Sequence, residues 1–164
     1  MTLLATLRES SQLIVIKPNV IAHMARHRQL SWFSREAGGQ LFGAIGTDEI
    51  VILAATGPYR GDQRTRSSYR SSAKSAQRAI DLNAEKGLFY LGEWHTHPEE
   101  HPVASPDDRS AMSKLLRASS TRVDTLLMVI QARQGVAIYS FGAQGFVEWT
   151  VSDGTVLHAY SHHR

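Results

Sequence analysis

At 164 residues, 42% of them hydrophobic and 20% charged, the chain has the length and composition of a single globular domain with an ordinary core. The absence of cysteine excludes disulfide scaffolding, thiol catalysis and every zinc site built on thiolate. The formal charge of +3 is modest, and much of the basic character sits in Arg60, Arg64, Arg66 and Arg70, which read as a solvated loop rather than a nucleic-acid surface.

The short apolar run Leu13–Ile16 predicts a buried strand, broken by Pro18 and Asn19. A helix follows over about Asn19–Gln29, with Val20, Ile21 and Met24 on its apolar face and Asn19 as its cap. His23 and His27 lie one turn apart on it, a spacing that could bind metal; with Arg26 and Arg28 beside them, the favoured reading is a solvated basic face. Glycines flank and interrupt the next strand signal, Gly38 to Gly46, which argues for a bulge or for close backbone approach. A tight connection at Gly46–Asp48 then predicts a hairpin with Glu49–Ala54. Pro58–Ser75, rich in arginine and serine, is the least structured-looking span and reads as a flap, a flexible loop over about 58–75.

A helix over about Ala73–Glu85, closed by Lys86 and Gly87, leads into an apolar strand, Leu88–His97. Alternation places His95 and His97 on one face, roughly 7 Å apart at the backbone, and turns Trp94 toward the core. Pro98 ends the strand, and Ser105-Pro106-Asp107-Asp108 has the form of a helix start, with serine as N-cap and acids in the first turn. The helix runs to about Ala118, and strands over Thr125–Gln131, Gly135–Phe141 and Gly145–Val151 complete the chain before a frayed tail from about 156. This order gives an α/β protein with a mixed, mostly antiparallel sheet flanked by helices, in a single domain spanning 1–164. No apolar run is long enough to cross a bilayer, and Arg8 and Glu9 come too early for a secretory signal, so the expectation is a cytoplasmic protein.

Two imidazoles and a carboxylate are a common catalytic zinc set, with water in the fourth position. His95 and His97 with Asp108 or the competing Asp107 would supply it, although each feature alone also has a plain structural reading: two partly buried histidines, and a near capping box at Ser105. Glu93, on the face of His95, reads either as a partner that orients a ligand or as a surface residue. His101 lies in the loop, where a histidine is ordinarily solvated. The deaminase alternative for a histidine-glutamate zinc site needs a P-C-x-x-C segment that a cysteine-free chain lacks.

Taken with Glu36, the pattern Glu … His95-Thr96-His97-Pro98 … Ser105-x-x-Asp108 resembles the JAMM (MPN+, JAB) metalloprotease motif, E … H-[ST]-H-P … S-x-x-D. The segment Glu36–Gly43 resembles the glutamate strand of that family, and Gly92–Pro98 its histidine strand. One departure is that six residues separate Pro98 from Ser105 where many members have seven. The resemblance implies a layered JAB/MPN-like, cytidine-deaminase-like fold, with zinc held by His95, His97 and Asp108. It further implies Glu36 as general base and Ser105 as a donor to the oxyanion, and the family spacing selects Asp108 over Asp107. The implied activity is cleavage of a peptide or isopeptide bond after the C-terminal tail of a ubiquitin-like protein, or of a protein conjugated by an E1/E2-like system. Bacterial single-domain members stand beside such conjugation proteins, including in anti-phage systems. Two further readings are a processing peptidase for ubiquitin-like sulfur carriers and a non-catalytic MPN binding scaffold, the latter characteristically lacking the metal residues. An extended tail would be expected to add as a strand beside the site.

Overall fold

A computed structural model describes residues 1–119 and 124–154. Among them the element order is β1 (Leu3–Thr6), β2 (Leu13–Ile16), α1 (Pro18–Ala25), β3 (Gly38–Ile45), β4 (Glu49–Ala55), β5 (Gln63–Arg64), β6 (Tyr69–Arg70), α2 (Ala73–Glu85), β7 (Phe89–Thr96), α3 (Pro106–Ala118), β8 (Leu126–Gln131), β9 (Val136–Gly142) and β10 (Gly145–Asp153). Eight strands close on themselves in the order β1-β10-β9-β8-β7-β3-β4-β2, while β5 and β6 form a separate ribbon. Only β2–β4 and β7–β8 pair in parallel, so the sheet is mixed and mostly antiparallel, as the element order suggested.

The core has two parts, one on each face of the central strands. Leu127 and Val129 of β8 meet Trp94, Ile138 and the apolar side of α1 at Val20 and Met24. Leu126, Met128 and Ile130 turn the other way, toward Met112 of α3 and Tyr139 and Phe141 of β9. This is why β8 is apolar at nearly every position rather than alternating: both of its faces are covered. Each such side chain contributes roughly 1.5–3 kcal/mol on leaving water.

The glycines of β3 are required by close approach. A Cβ on Gly39 would stand 1.7 Å from the Thr56 carbonyl oxygen, and one on Gly43 would stand 1.8 Å from that of Val51. The pairing register also shifts at Phe42/Gly43 toward β4 and at Leu41/Phe42 toward β7, so the bulge expected from the sequence is present on both sides.

Several elements differ from expectation. β1 went unread because its four residues are too short to carry a periodic signal, yet it closes the sheet by pairing with both β10 and β2. α1 starts at Pro18 and stops at Ala25; its N-cap is Lys17, without a side-chain cap, and the Asn19 amide donates instead to the Leu53 carbonyl at 2.9 Å. His23 and His27 are half-buried rather than solvated: their rings lie 5.5 and 5.8 Å from the Trp94 ring, and His23 Nε2 meets the Gly57 carbonyl at 2.7 Å. The 58–75 span carries the β5–β6 ribbon, organised by Asp62, whose carboxylate accepts from the backbone N–H groups of Tyr59 and Ser72 and from the Tyr69 hydroxyl. The expected tail from 156 lies outside the described residues. No described helix is long and apolar enough to cross a membrane.

Candidate active site

β3 and β7 run antiparallel with Gly38 opposite His95. One step further, the Thr96 N–H donates to the Ala37 carbonyl at 2.8 Å, and the Ala37 N–H donates to Thr96 Oγ1 at 2.9 Å. Continued one more residue, this register sets Glu36 opposite His97, at the end of the histidine strand. Glu36 therefore stands just before β3 rather than within it, fixed by its own N–H donating to the Thr65 carbonyl and by Arg64 Nε donating to its carbonyl.

His97 lies one residue past β7 but keeps to the sheet through its N–H bond to the Gln131 carbonyl at 3.0 Å. As alternation requires, Trp94 turns into the core, with its indole N–H on the Thr56 carbonyl, while His95 and His97 share the opposite face. Their Nε2 atoms approach to 3.0 Å. Asp108 completes a triangle: Oδ1 is 3.2 Å from His95 Nε2, and Oδ2 is 3.1 Å from His97 Nε2.

Asp108 is aimed by the first turn of α3. Ser105 Oγ accepts from the Asp108 N–H at 3.1 Å, and the Ser105 N–H donates to Asp108 Oδ2 at 2.8 Å, a complete capping box. The cap thus also orients the Asp108 carboxylate toward the two histidines. Because Ser105 Oγ accepts in the cap, its own proton remains available for donation. Asp107 is exposed and lies outside the cluster that Asp108 forms with the two histidines.

The donor set fits a small divalent cation. Tetrahedral zinc with nitrogen and oxygen ligands at about 2.0–2.1 Å needs ligand–ligand edges of about 3.3 Å. The 3.0 Å separation of the two imidazole Nε2 atoms is near such an edge, and Asp108 presents one carboxylate oxygen to each ring, at 3.2 and 3.1 Å. Two Nε2 atoms that face each other as well as a carboxylate cannot all be satisfied by protons: one N–H serves one partner, and two opposed N–H groups repel. A shared cation satisfies all three groups.

The electrostatics follow the same geometry. Burial alone would push Asp108 up, but hydrogen bonds from His95 and His97, the charge of His95 and the Ser105 N–H hold it well below the usual carboxylate range. Burial would pull His97 down, yet the hydrogen bond and charge of Asp108, with Glu36 and Glu99, leave it raised. Glu36 is 5% exposed; burial raises it, His97 opposes, and Asp108 and Glu99 add to the rise, leaving it at about 7. A carboxyl group titrating there is suited to taking and returning a proton at neutral pH.

Two features were not legible beforehand. Glu99 Oε2 lies 3.7 Å from His97 Nδ1, on the far side of the ring from Asp108. Gln29 is 3% exposed and links four segments: Oε1 accepts from Thr96 Oγ1, while Nε2 donates to the carbonyls of Ser34 and Arg66. Neither residue has a motif spacing to betray it. Glu93 does not orient the histidines: Gln40 Nε2 and the Tyr90 hydroxyl both donate to it, and burial, ahead of these bonds, raises it to about 7. His101 is exposed. Among the described residues each strand of the closed sheet has two neighbours, whereas the β5–β6 ribbon is paired only with itself and keeps two outer backbone edges.

Comparison with known proteins agrees with this geometry. A family model described as prokaryotic homologs of the JAB domain matches residues 17–149, the span from the start of α1 to near the end of β10. The chain is 30% identical over 129 residues to a CD-NTase/cGAS isopeptidase of Vibrio cholerae serotype O1, covering 77% of this chain and 80% of that one. It is 31% identical over 126 residues to one of Pseudomonas aeruginosa, covering 74% and 79%, and 36% identical over 95 residues to one of Escherichia coli, covering 56% and 61%. The solution structure of DSY2949 from Desulfitobacterium hafniense shares the fold at a TM-score of 0.60 with 16% identity, over 81% of this chain and 87% of that one. The match over residues 17–149 contains Glu36, both histidines and the Ser105–Asp108 cap, and the chain belongs to the prokaryotic JAB domain family.

Proposed function

We propose that this protein is a zinc-dependent isopeptidase that hydrolyses the bond after the C-terminal tail of a protein conjugated by an E1/E2-like system, a CD-NTase being the first candidate substrate and a ubiquitin-like protein the second. The observation that carries the reading is the convergence of His95, His97 and Asp108 within 3.2 Å of one another, with Glu36 held opposite His97 at a pKa of about 7. The isopeptidase names of the relatives supply the bond type and the candidate substrate.

His95, His97 and Asp108 would hold the ion. Zinc, when bound, supplies Lewis-acid polarisation of the scissile carbonyl and lowers the pKa of water from about 15.7 to about 7. Glu36 accepts a proton from the attacking water and returns it to the departing lysine amine, so that one C–O bond forms as the C–N bond breaks. Ser105, its oxygen engaged by the Asp108 N–H, directs its proton to the oxygen that gains charge as water adds. Glu99 holds the His97 ring from the Nδ1 side, as an outer carboxylate commonly does for a ligand histidine.

The test is hydrolysis of a CD-NTase joined through its C-terminal carboxyl to a lysine side chain. Zinc-loaded protein should release an intact C-terminal carboxylate and a free lysine, identified by mass; chelation should stop the reaction, and zinc should restore it. Undiminished cleavage by metal-stripped protein would contradict the reading.

A further inference from the structure

The turn Ser31–Ser34 carries Trp32 and Phe33 at its two central positions, 71% and 88% exposed, next to Leu30 at 61%. Turn centres ordinarily take glycine, proline, asparagine, aspartate or serine. Aromatic side chains there leave large apolar area in water unless something covers it.

The turn is rigidly built. The Ser34 N–H donates to the Ser31 carbonyl at 3.2 Å, the Ser31 N–H donates to Ser34 Oγ at 3.2 Å, and the two hydroxyls meet at 2.9 Å. From below, the buried Gln29 amide ties the Ser34 carbonyl to the Arg66 carbonyl. The Arg66 guanidinium lies 3.6 Å from the centre of the Trp32 ring. A fixed, exposed aromatic pair with a cation stacked on it has the composition of an interaction hot spot, because little ordering is left to be lost on binding.

Charge narrows the partner. Arg66, stacked on Trp32, and Arg35, next in the chain after Ser34, are both exposed, and among the described residues neither has a carboxylate within ion-pair distance. The surface is apolar at its centre and cationic at its rim. The complementary surface is an apolar patch bordered by carboxylates.

Position narrows it further. Phe33 is three residues from Glu36, so their Cα atoms lie within about 11 Å, the reach of three extended residues. A C-terminal tail needs only three or four residues to pass from the reacting carbonyl to the turn, which places the folded body of the tail-bearing protein over it. That body is the part every conjugate of one tail-bearing protein shares, whatever amine it is joined to.

We infer that the Trp32–Phe33 turn, with Arg66, is the docking surface for the folded body of the tail-bearing substrate, through an acid-bordered apolar patch. This rests on the isopeptidase reading above.

The experiment compares two aryl-amide substrates of zinc-loaded enzyme: a full-length CD-NTase carrying a fluorogenic amine on its C-terminal carboxyl, and the C-terminal peptide of the same CD-NTase carrying the same amine. The double variant Trp32→Ser/Phe33→Ser should raise KM for the full-length substrate by about tenfold or more, with kcat unchanged, and leave the peptide's kcat/KM as it was. Arg66→Glu should act in the same direction, and added salt should weaken the wild type on the full-length substrate alone. An equal loss on both substrates, or no loss on either, overturns the docking surface while the isopeptidase reading stands. If wild-type enzyme releases amine from neither substrate, the isopeptidase reading has failed and the docking surface falls with it. Loss confined to a substrate whose leaving group is a folded protein also overturns the inference, since it would move the surface to the amine-bearing partner.

Discussion

The Ala37 N–H donates to Thr96 Oγ1 at 2.9 Å, joining the residue after Glu36 to the residue between the two histidines. The same hydroxyl gives its proton to Gln29 Oε1 at 3.0 Å, so one buried side chain sets the Glu36 segment, the histidine strand and the segment that follows α1 against each other.

Thr96→Val keeps the shape of the side chain and removes both bonds, leaving a buried N–H and a buried amide oxygen without partners. At about 1–3 kcal/mol for each such group, the variant should lose about 2–6 kcal/mol of stability. Thr96→Ser, which keeps the hydroxyl, should lose less than half as much. Urea midpoints and m-values for the three proteins decide this.

Metal removal should be visible as stability. An ion present at a hundredfold excess over its Kd adds about 2.7 kcal/mol to the folded state, or about 5–10 °C in Tm for a chain of this size. Chelation should therefore lower the melting temperature of wild type by that order. His95→Ala and Asp108→Asn should melt at the same temperature with and without zinc, as read by calorimetry.

The raised Glu36 gives a pH dependence of definite sign in the metal-free protein. Its ordinary value is 4.5 and its folded value about 7, so folding is opposed by ionisation. The cost is absent below pH 4.5, grows between pH 4.5 and 7, and is complete above pH 7. Glu36→Gln should accordingly stabilise metal-free protein by about 2–3 kcal/mol at pH 8 and change it little at pH 4. Denaturant titrations at the two pH values would show it; a gain at pH 4 that vanished at pH 8 would reverse the sign.

The proposed function gives Ser105 a second use beside its helix cap, and each has its own readout. Ser105→Ala removes the cap acceptor and the free proton, and should cost about 1 kcal/mol of stability together with about 10²–10³ in kcat. Ser105→Thr keeps both groups and should recover most of each. Equal kcat for wild type and Ser105→Ala would leave the hydroxyl with its capping function alone.

The parts of this molecule that could be read in advance are those whose partners are near in sequence. α2 and α3 fall on the residues indicated, Ala73–Glu85 and Pro106–Ala118, because Lys86 and Gly87 close the first and Ser105 with Pro106 opens the second. The meeting of His95, His97 and Asp108 was legible because the two histidines share a strand face and the family spacing singled out Asp108 over Asp107. What escaped depends on distant pairings. Closure of the sheet needs β1 against β10, about 150 residues apart in the chain. The packing of His23 and His27 on Trp94 reversed the expectation of a solvated face, and nothing local to α1 shows that an aromatic ring from β7 will lie beneath it. Gln29 acts through Thr96 and Arg66, which only the fold brings near, and no motif spacing marks Glu99.

The central claim is that Glu36 moves the proton while His95, His97 and Asp108 hold the ion, and one comparison separates the two functions. Zinc content and turnover should be measured side by side for wild type and Glu36→Gln, on a CD-NTase joined to a lysine side chain. The account predicts near-stoichiometric zinc in both and a fall of about 10²–10⁴ in kcat for Glu36→Gln. Full turnover by Glu36→Gln, with zinc in place, would contradict it.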